Sequence, residues 1–420
     1  MIKIGNLEID KFYLGDKSDA KIYLGDVKVW PEEEAPETYP CAFKRVSRGG
    51  SAYTVDCNST SSNTISSGDT RSGLSSSEIS GSTSDKTPVS VVFGDCCKTI
   101  DVEACRGWTY LSSVTISDNV TSLYKYSFFD TPRVEHLKIG SGITYMTNTF
   151  RYIGRSGSTK PDLDLSANVG LEVGDGSFDS CYFNNMIFPN NCTLISGACK
   201  YCSASTLSFG TGTKISDKGQ YYSPFDICNI SNIDLNGVTK IGRCAFQRLS
   251  DCTSITIPPS VTDFGSYVFS GASNLNSVTI DYASNATFGG GQFAGLPITS
   301  LTIGSNPTRI PFDMFSGCTK LTSLDIPSNI SSIGSGAFES CTGLTSLVIP
   351  SNVLSIDNEA FSKCSGLTSV TVESTTPPKL GSYVFNYTSC PIYVPSGSVD
   401  TYKAADGWSS YASRIQAIPT

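Results

Sequence analysis

The sequence predicts a β-rich (α+β) solenoid with a small N-terminal β-hairpin module and a C-terminal cap carrying short helices. Three observations carry that expectation. A unit of about 23 residues recurs over most of the chain, and each unit holds one short stretch of alternating apolar and polar residues. Only 16% of the 420 residues are charged, while 38 are glycine, a balance that favours strands and turns over helices. Length alone would suggest two or three globular domains. The recurrence replaces that reading with one quasi-linear stack.

Residues 1–30 hold a separate repeat with a ten-residue step. Phe12-Tyr13-Leu14-Gly15-Asp16 returns as Ile22-Tyr23-Leu24-Gly25-Asp26, and Ile4-Gly5 stands in the same phase. Gly-Asp or Gly-Asn between alternating apolar residues is a hairpin signal. Three such ribbons are too small to be stable alone. Phe12, Tyr13, Leu14, Ile22, Tyr23, Leu24 and Trp30 are therefore expected to attach to a partner or to other copies of the chain. An acidic, proline-containing linker, residues 31–40, follows.

Residues 41–90 are expected to form a Ser/Thr-rich β cap. Arg48-Gly49-Gly50-Ser51 lies between two alternating segments and reads as a hairpin turn.

Residues 91–390 are expected to form about 13 coils. Residues 321–343 read LTSLDIPSNISSIGSGAFESCTG and residues 344–366 read LTSLVIPSNVLSIDNEAFSKCSG. The strand residue before the turn falls at Ile257, Ile280, Ile303, Ile326, Ile349 and Val372, each 23 after the last. Leu344, Leu347 and Ile349 should face the interior, and Pro350 should end the strand because it cannot donate to a ladder. Val353 and Ile356 should return along a second face. The aromatic residue near the end of each unit falls at Phe225, Phe246, Phe269, Phe293, Phe315, Phe338, Phe361 and Phe385. Phe128, Phe150 and Phe178 extend the series, with Cys105 and Cys199 in the Phe position of degenerate units. One coil cannot bury its Phe, so neighbours must stack. At roughly 4.8 Å per strand, the coils would make a rod of about 60 Å.

Residues 391–420 leave the frame and read as a cap. Helix is expected from Val399 to about Ala405 and again near Trp408–Ile415, with Ser398 as N-cap and Gly407 as helix stop. Trp408 and Tyr411 should plug the open end of the stack.

The chain carries 16 cysteines, and Cys318, Cys341 and Cys364 recur at 23-residue intervals. Equivalent slots read as buried thiols that pack, not as a disulfide set. No apolar run at the N-terminus could serve as a signal-peptide core, so if residue 1 is the natural start, first folding is expected in a reducing cytoplasm. Cys199-Lys200-Tyr201-Cys202 has the spacing of half a zinc site, but no second pair follows it.

Catalytic chemistry has few candidates. No nucleotide-binding loop, nucleophile elbow or metalloprotease motif occurs, so no cofactor, metal or catalytic residue is assigned. Gly210–Lys214 and Gly289-Gly290-Gly291 read as turns. His136, the single histidine, sits at an outward strand position. Asp162/Asp164 and Asp175/Asp179 are the carboxylate pairs open to glycosidase work, and solvated turn residues are the plainer reading. The net charge of −8 argues against nucleic acid, and the absence of a long apolar run argues against membrane insertion.

The repeats resemble the BspA-type leucine-rich repeat, most closely in residues 321–366, then in 233–320, where Ile241-Gly242-Arg243-Cys244-Ala245-Phe246 repeats the second half of the motif. The resemblance implies a curved stack used for recognition or display. The Tyr-Leu-Gly-Asp module resembles N-terminal segments of virion proteins from phages of gut Bacteroidetes. That likeness implies a non-enzymatic structural protein of a phage particle, on capsid or tail, assembled in the host cytoplasm. Residues 1–30 would bind other virion proteins, and the chain would form a homo-oligomer, a trimer being one form. The displayed surface, with the loops of residues 150–232, would meet a host surface protein or gut glycans. A bacterial surface adhesin and a glycan-degrading appendage are the alternatives.

Overall fold

The fold is a parallel-strand β-solenoid of about 14 turns with very little helix. The computed structural model describes residues 89–93, 98–100, 102–216 and 223–419, together with the backbone of short strands between Ile2 and Ile65. The chain divides into two compact units, one of residues 1–210 and 218–224 and one of residues 211–217 and 225–420.

In the first unit, strands Val89–Phe93, Leu111–Ile116 and His136–Lys138 pair in parallel, as do Leu163–Asp164, Asn185–Phe188 and Ser203–Phe209. A second face is built from two-residue strands, such as Thr99–Ile100 against Ser122–Leu123. Parallel pairing reaches upstream of the expected first coil. Strand Ser51–Asp56 pairs with Val89–Phe93, and Thr64–Ile65 pairs with Thr99–Ile100. Antiparallel pairing begins only beyond that point. Ala42–Ser47 closes a hairpin with Ser51–Asp56, and Phe12–Tyr13 lies against Ala42–Ser47. Ile4 pairs with Leu7 and Leu24 with Val27, which makes two hairpins of the ten-residue repeat.

In the second unit equivalent residues stand in rows. Ser254, Ser277 and Ser300 stand in one row, and Ile257, Ile280 and Ile303 in another. Strands Ser346–Ile349, Ser369–Val372, Ile392–Val394 and Ile415–Ala417 continue the pattern. The alternation works as the pleat requires. Leu347 and Ile349 are buried while Ser346 and Val348 are exposed. The segment Leu321–Ile326 departs from expectation: it buries Leu321, Leu324 and Ile326 but forms no strand. Side-chain burial holds that coil on this face, together with the Thr322 carbonyl, which accepts from the N–H and hydroxyl of Thr345, both at 3.3 Å.

The turn around the aromatic residue builds a third ladder. The residues two before and two after the Phe position have positive φ in nearly every coil, for example Asp313 (53°) and Gly317 (73°) around Phe315, and Glu359 (60°) and Lys363 (62°) around Phe361. This left-handed geometry costs a non-glycine residue about 1 kcal/mol. Three hydrogen bonds to the next coil offset it. The N–H groups of Asp313, Phe315 and Gly317 donate to the carbonyls of Ser335, Ala337 and Glu339, at 2.8, 2.9 and 2.7 Å. The turn after the first strand is also tied across coils. The Asn329 side-chain amide donates to the Gly304 carbonyl at 3.0 Å, and Asn352 donates to the Ile330 carbonyl.

The cap differs in detail from its sequence reading. Helix spans Val399–Ala404, and Trp408–Arg414 is 3-10 helix. Ser398 makes no capping bond, because its hydroxyl is buried and donates to the Thr375 carbonyl at 2.9 Å. The helix ends at Ala405, which is extended, and Gly407 instead opens the 3-10 turn at φ 76°. Its left-handed backbone brings the chain against Leu380, where a Cβ would lie 2.7 Å from the carbonyl oxygen. Trp408 is fully buried, donates Nε1–H to the Pro378 carbonyl at 2.8 Å and lies 6.1 Å from the Phe385 ring.

Candidate functional site

The predicted aromatic residues lie in one column. Centroid separations along Phe225, Phe246, Phe269, Phe293, Phe315, Phe338, Phe361 and Phe385 run 5.1, 5.6, 5.1, 5.4, 5.5, 5.5 and 6.0 Å, with rings within 12° of parallel. Phe128, Phe150 and Phe178 stack likewise in the first unit. Cys105 and Cys199 occupy the Phe position, since their N–H groups donate to Ser127 and Pro224, the residues before the next Phe.

The thiols have a defined partner. Cys318, Cys341 and Cys364 each donate to the Phe carbonyl of the preceding coil, Phe293, Phe315 and Phe338, at 3.3, 3.3 and 3.2 Å. Cys181 and Cys202 do the same to Phe150 and Phe178, both at 2.7 Å. Burial pushes the thiols of Cys318 and Cys364 up to about 12, and raises that of Cys341 further. All five are structural donors, and Cys318, Cys341 and Cys364 are far from the thiolate state that nucleophilic or metal chemistry requires. The Cys199/Cys202 pair is absorbed by the same two slots. Among the described residues, no group of three or more His, Cys, Asp or Glu is placed to hold a metal, and no helix is long and apolar enough to cross a membrane.

The carboxylate pairs are also tied into the repeat. Asp162 accepts from the Asn185 backbone and side chain at 3.1 and 2.8 Å, and Asp164 from the Ser166 N–H at 2.9 Å. Asp179 is buried and faces Arg151 at 2.9 Å and Lys200 at 3.7 Å, while Asp175 lies 3.8 Å from the same Lys200. His136 is exposed on its strand. Phe12, Tyr13, Ile22, Tyr23, Leu24 and Trp30 fall on strands, but their side chains, and Leu14 altogether, lie outside the described residues.

One concave surface in the second unit departs from the template. The residues after the second strand of each coil read Phe264-Gly265-Ser266, Phe288-Gly289-Gly290, Ile310-Pro311-Phe312 and Ile333-Gly334-Ser335. Where neighbours carry glycine or serine, Phe312 presents a ring that is 46% exposed. The ring fits because Gly290 has no side chain; a Cβ there would collide with it. Register places Arg309 beside Ser332, and Ile310 beside Ile333. Phe288, Arg309, Phe312, Ser332, Gly334, Ser335 and Asp357 line a cavity of about 490 Å³. That volume falls within the range of about 300–1,000 Å³ typical of ligand sites.

The polar groups there are held in place. The Arg309 guanidinium lies 5.1 Å from the Phe288 ring and donates to the Ala286 carbonyl at 2.9 Å. The buried Tyr282 hydroxyl donates to the Arg309 carbonyl from beneath, and its ring meets Phe288 at 4.7 Å. An exposed ring, a fixed cation, a carboxylate and two hydroxyls therefore converge on one hollow. Only one carboxylate lines it, whereas glycoside hydrolysis uses two. A second concavity of about 350 Å³, between Asn232 and Pro258, has no aromatic residue in its lining. The site could have been found in the sequence by asking where a bulky residue replaces the small one of the repeat.

The family described as the BspA type leucine-rich repeat region matches residues 84–158, 171–296 and 286–399, in 6 copies. Similar solved structures include a leucine-rich repeat protein from Bacteroides ovatus, 18% identical over 93% of this chain and 100% of that one, with a TM-score of 0.44. A leucine-rich cell surface protein from Faecalibacterium prausnitzii is 18% identical over 85% of this chain and 96% of that one, with a TM-score of 0.30. The pneumococcal vaccine antigen PcpA is 11% identical over 91% and 96%, with a TM-score of 0.28. No curated protein matches the chain. With the family matched over well more than half of its length, the chain belongs to the BspA-type leucine-rich repeat family.

Proposed function

We propose that this chain is a non-enzymatic recognition protein displayed on a phage particle, and that the Phe312 hollow binds a sugar ring of host-surface or gut glycans. The observation that carries the binding role is the exposed Phe312 ring framed by Arg309, Asp357, Ser332 and Ser335. A pyranose offers an apolar C–H face to such a ring and hydroxyls to the polar groups around it. The single lining carboxylate favours binding over cleavage.

Stacking on an aromatic ring contributes about 1.5 kcal/mol, so Phe312→Ala should weaken binding about tenfold. The check is an array of immobilised capsular and mucin oligosaccharides read with both proteins, beside their urea unfolding curves. Equal binding by the two would remove the hollow as the site.

The virion role rests on the duplicated Tyr-Leu-Gly-Asp ribbons and their likeness to virion segments. Residues 1–30 would join other virion proteins, with the chain present as a homo-oligomer such as a trimer. Deleting residues 1–30 should leave a folded repeat stack that no longer enters particles; normal incorporation of the truncated chain would overturn this role. Family membership favours a second reading, a bacterial surface adhesin. Immunogold labelling of host cells and of purified particles separates the two.

A further inference from the structure

The first unit carries an unbroken alternation of cations and rings. Arg106 lies 5.1 Å from the Phe129 centroid, and Arg151 lies 5.8 Å from Phe129 and 5.1 Å from Tyr152. Arg155 lies 5.2 Å from Tyr152 and 6.0 Å from Tyr182, and Lys160 lies 5.7 Å from Tyr182. Two of the cations have acidic partners, Glu103 for Arg106 and Asp179 for Arg151. Arg155 and Lys160 are exposed and pair with no acid among the described residues.

Both unpaired cations belong to a loop that the repeat does not need. The interval from Phe150 to Phe178 is 28 residues, and the excess falls between Arg155 and Lys160. The loop is nonetheless pinned. Ser156 N–H donates to the Pro132 carbonyl at 2.9 Å, and Ser158 donates its N–H and hydroxyl to Glu135 at 2.6 and 2.7 Å. Ser156, Gly157 and Ser158 also line a concavity of about 220 Å³, together with Tyr110, Ser112, Arg133 and Glu135. There Arg133 lies 4.4 Å from the Tyr110 ring. Stacking on rings orders the long cationic side chains before any ligand arrives, which lowers the entropy cost of binding.

We propose that Arg133, Arg155 and Lys160, set on Tyr110, Tyr152 and Tyr182, form a binding surface for an acidic polysaccharide. Its carboxylate or sulfate groups would meet the cations, and its sugar faces the tyrosine edges. Glu103, Glu135 and Asp179 interrupt the positive charge, and the chain carries a net −8. A nucleic acid, with a phosphate at every step, meets those acids, whereas a glycan charged once per sugar or two fits between them.

The test uses the full chain with polygalacturonate (carboxylate), heparin (sulfate), neutral dextran and a dT20 oligonucleotide, measured by surface plasmon resonance at two salt concentrations. Binding to one or both acidic glycans should weaken as salt rises, with the responding polymer identifying the anionic group. Arg155→Ala/Lys160→Ala should lose about tenfold or more, while Arg155→Lys/Lys160→Arg retains most of it. The proposal is overturned if neither acidic glycan binds at low salt, if the double alanine variant binds as well as the parent, or if dT20 binds more tightly than both. Phe312 stays intact in both double variants, so a loss in the alanine pair is assigned to this surface and not to the Phe312 hollow.

Discussion

Phe338→Ala will destabilise the second unit by about 3–5 kcal/mol, the cost of emptying a buried aromatic site. Phe338 has no exposed surface and lies between the rings of Phe315 and Phe361, each 5.5 Å away. Both faces lose their contacts at once, and the Cys364 thiol, which donates to the Phe338 carbonyl, is left beside a void. Collapse is hindered because the neighbouring rings are fixed by their own coils through the backbone ladder. Urea unfolding of the variant is the check, with Phe312→Ala as an internal comparison whose exposed ring should cost under about 1 kcal/mol. A loss below 1 kcal/mol for Phe338→Ala would mean that the column does not hold the unit together.

Alkaline pH should unfold the chain between about pH 9 and 12, in reductant, through the thiol column. Cys318 and Cys364 move from an ordinary value of 9.0 to about 12 because burial disfavours the thiolate, and Cys341 moves the same way. The sign follows from linkage. An acid raised in the folded state contributes stability that is fully present below its unfolded value and is lost as pH rises toward the folded value. Ionising one such thiol in place costs on the order of 4 kcal/mol, so three neighbours together are comparable with a domain's usual margin. Tyr402, raised to about 12 by burial, adds to the same limb. Circular dichroism across a pH titration of the parent and of a Cys318→Ala/Cys341→Ala/Cys364→Ala variant isolates the thiols. An alkaline midpoint unchanged by the triple substitution would remove them as its cause.

The large-scale architecture was legible because one coil's needs recur in the next. A Phe that a single turn cannot bury, an alternating strand and a Cys at constant interval all follow from the stack. Even the degenerate positions Cys105 and Cys199 could be placed by counting. What escaped was conformational. The left-handed residues flanking each Phe were written in the sequence as Gly336-Ala337-Phe338 and as Phe269-Ser270-Gly271, Phe293-Ala294-Gly295 and Phe315-Ser316-Gly317. The many coils that put Asp, Glu, Tyr or Lys in those positions masked the pattern. The missing strand at Leu321–Ile326 escaped for a different reason, since its side chains match those of coils that do pair. The candidate hollow was hidden by the habit of reading repeats for what they share, because Phe312 and Arg309 matter where one coil differs from its neighbours.

The third ladder gives each unit a direction. Between the aromatic turns, backbone N–H groups donate to the following coil, and the backbone carbonyls of that ladder accept from the preceding one. Whatever follows the last such turn must therefore supply acceptors. Tyr411 does so: its hydroxyl oxygen accepts the Phe385 N–H at 3.2 Å, in the place of the carbonyl that another coil would have brought. The terminus is thus a matter of polarity as well as shape. A phenol, which can accept as well as donate, can stop the series there, whereas a lysine or arginine of equal reach could not.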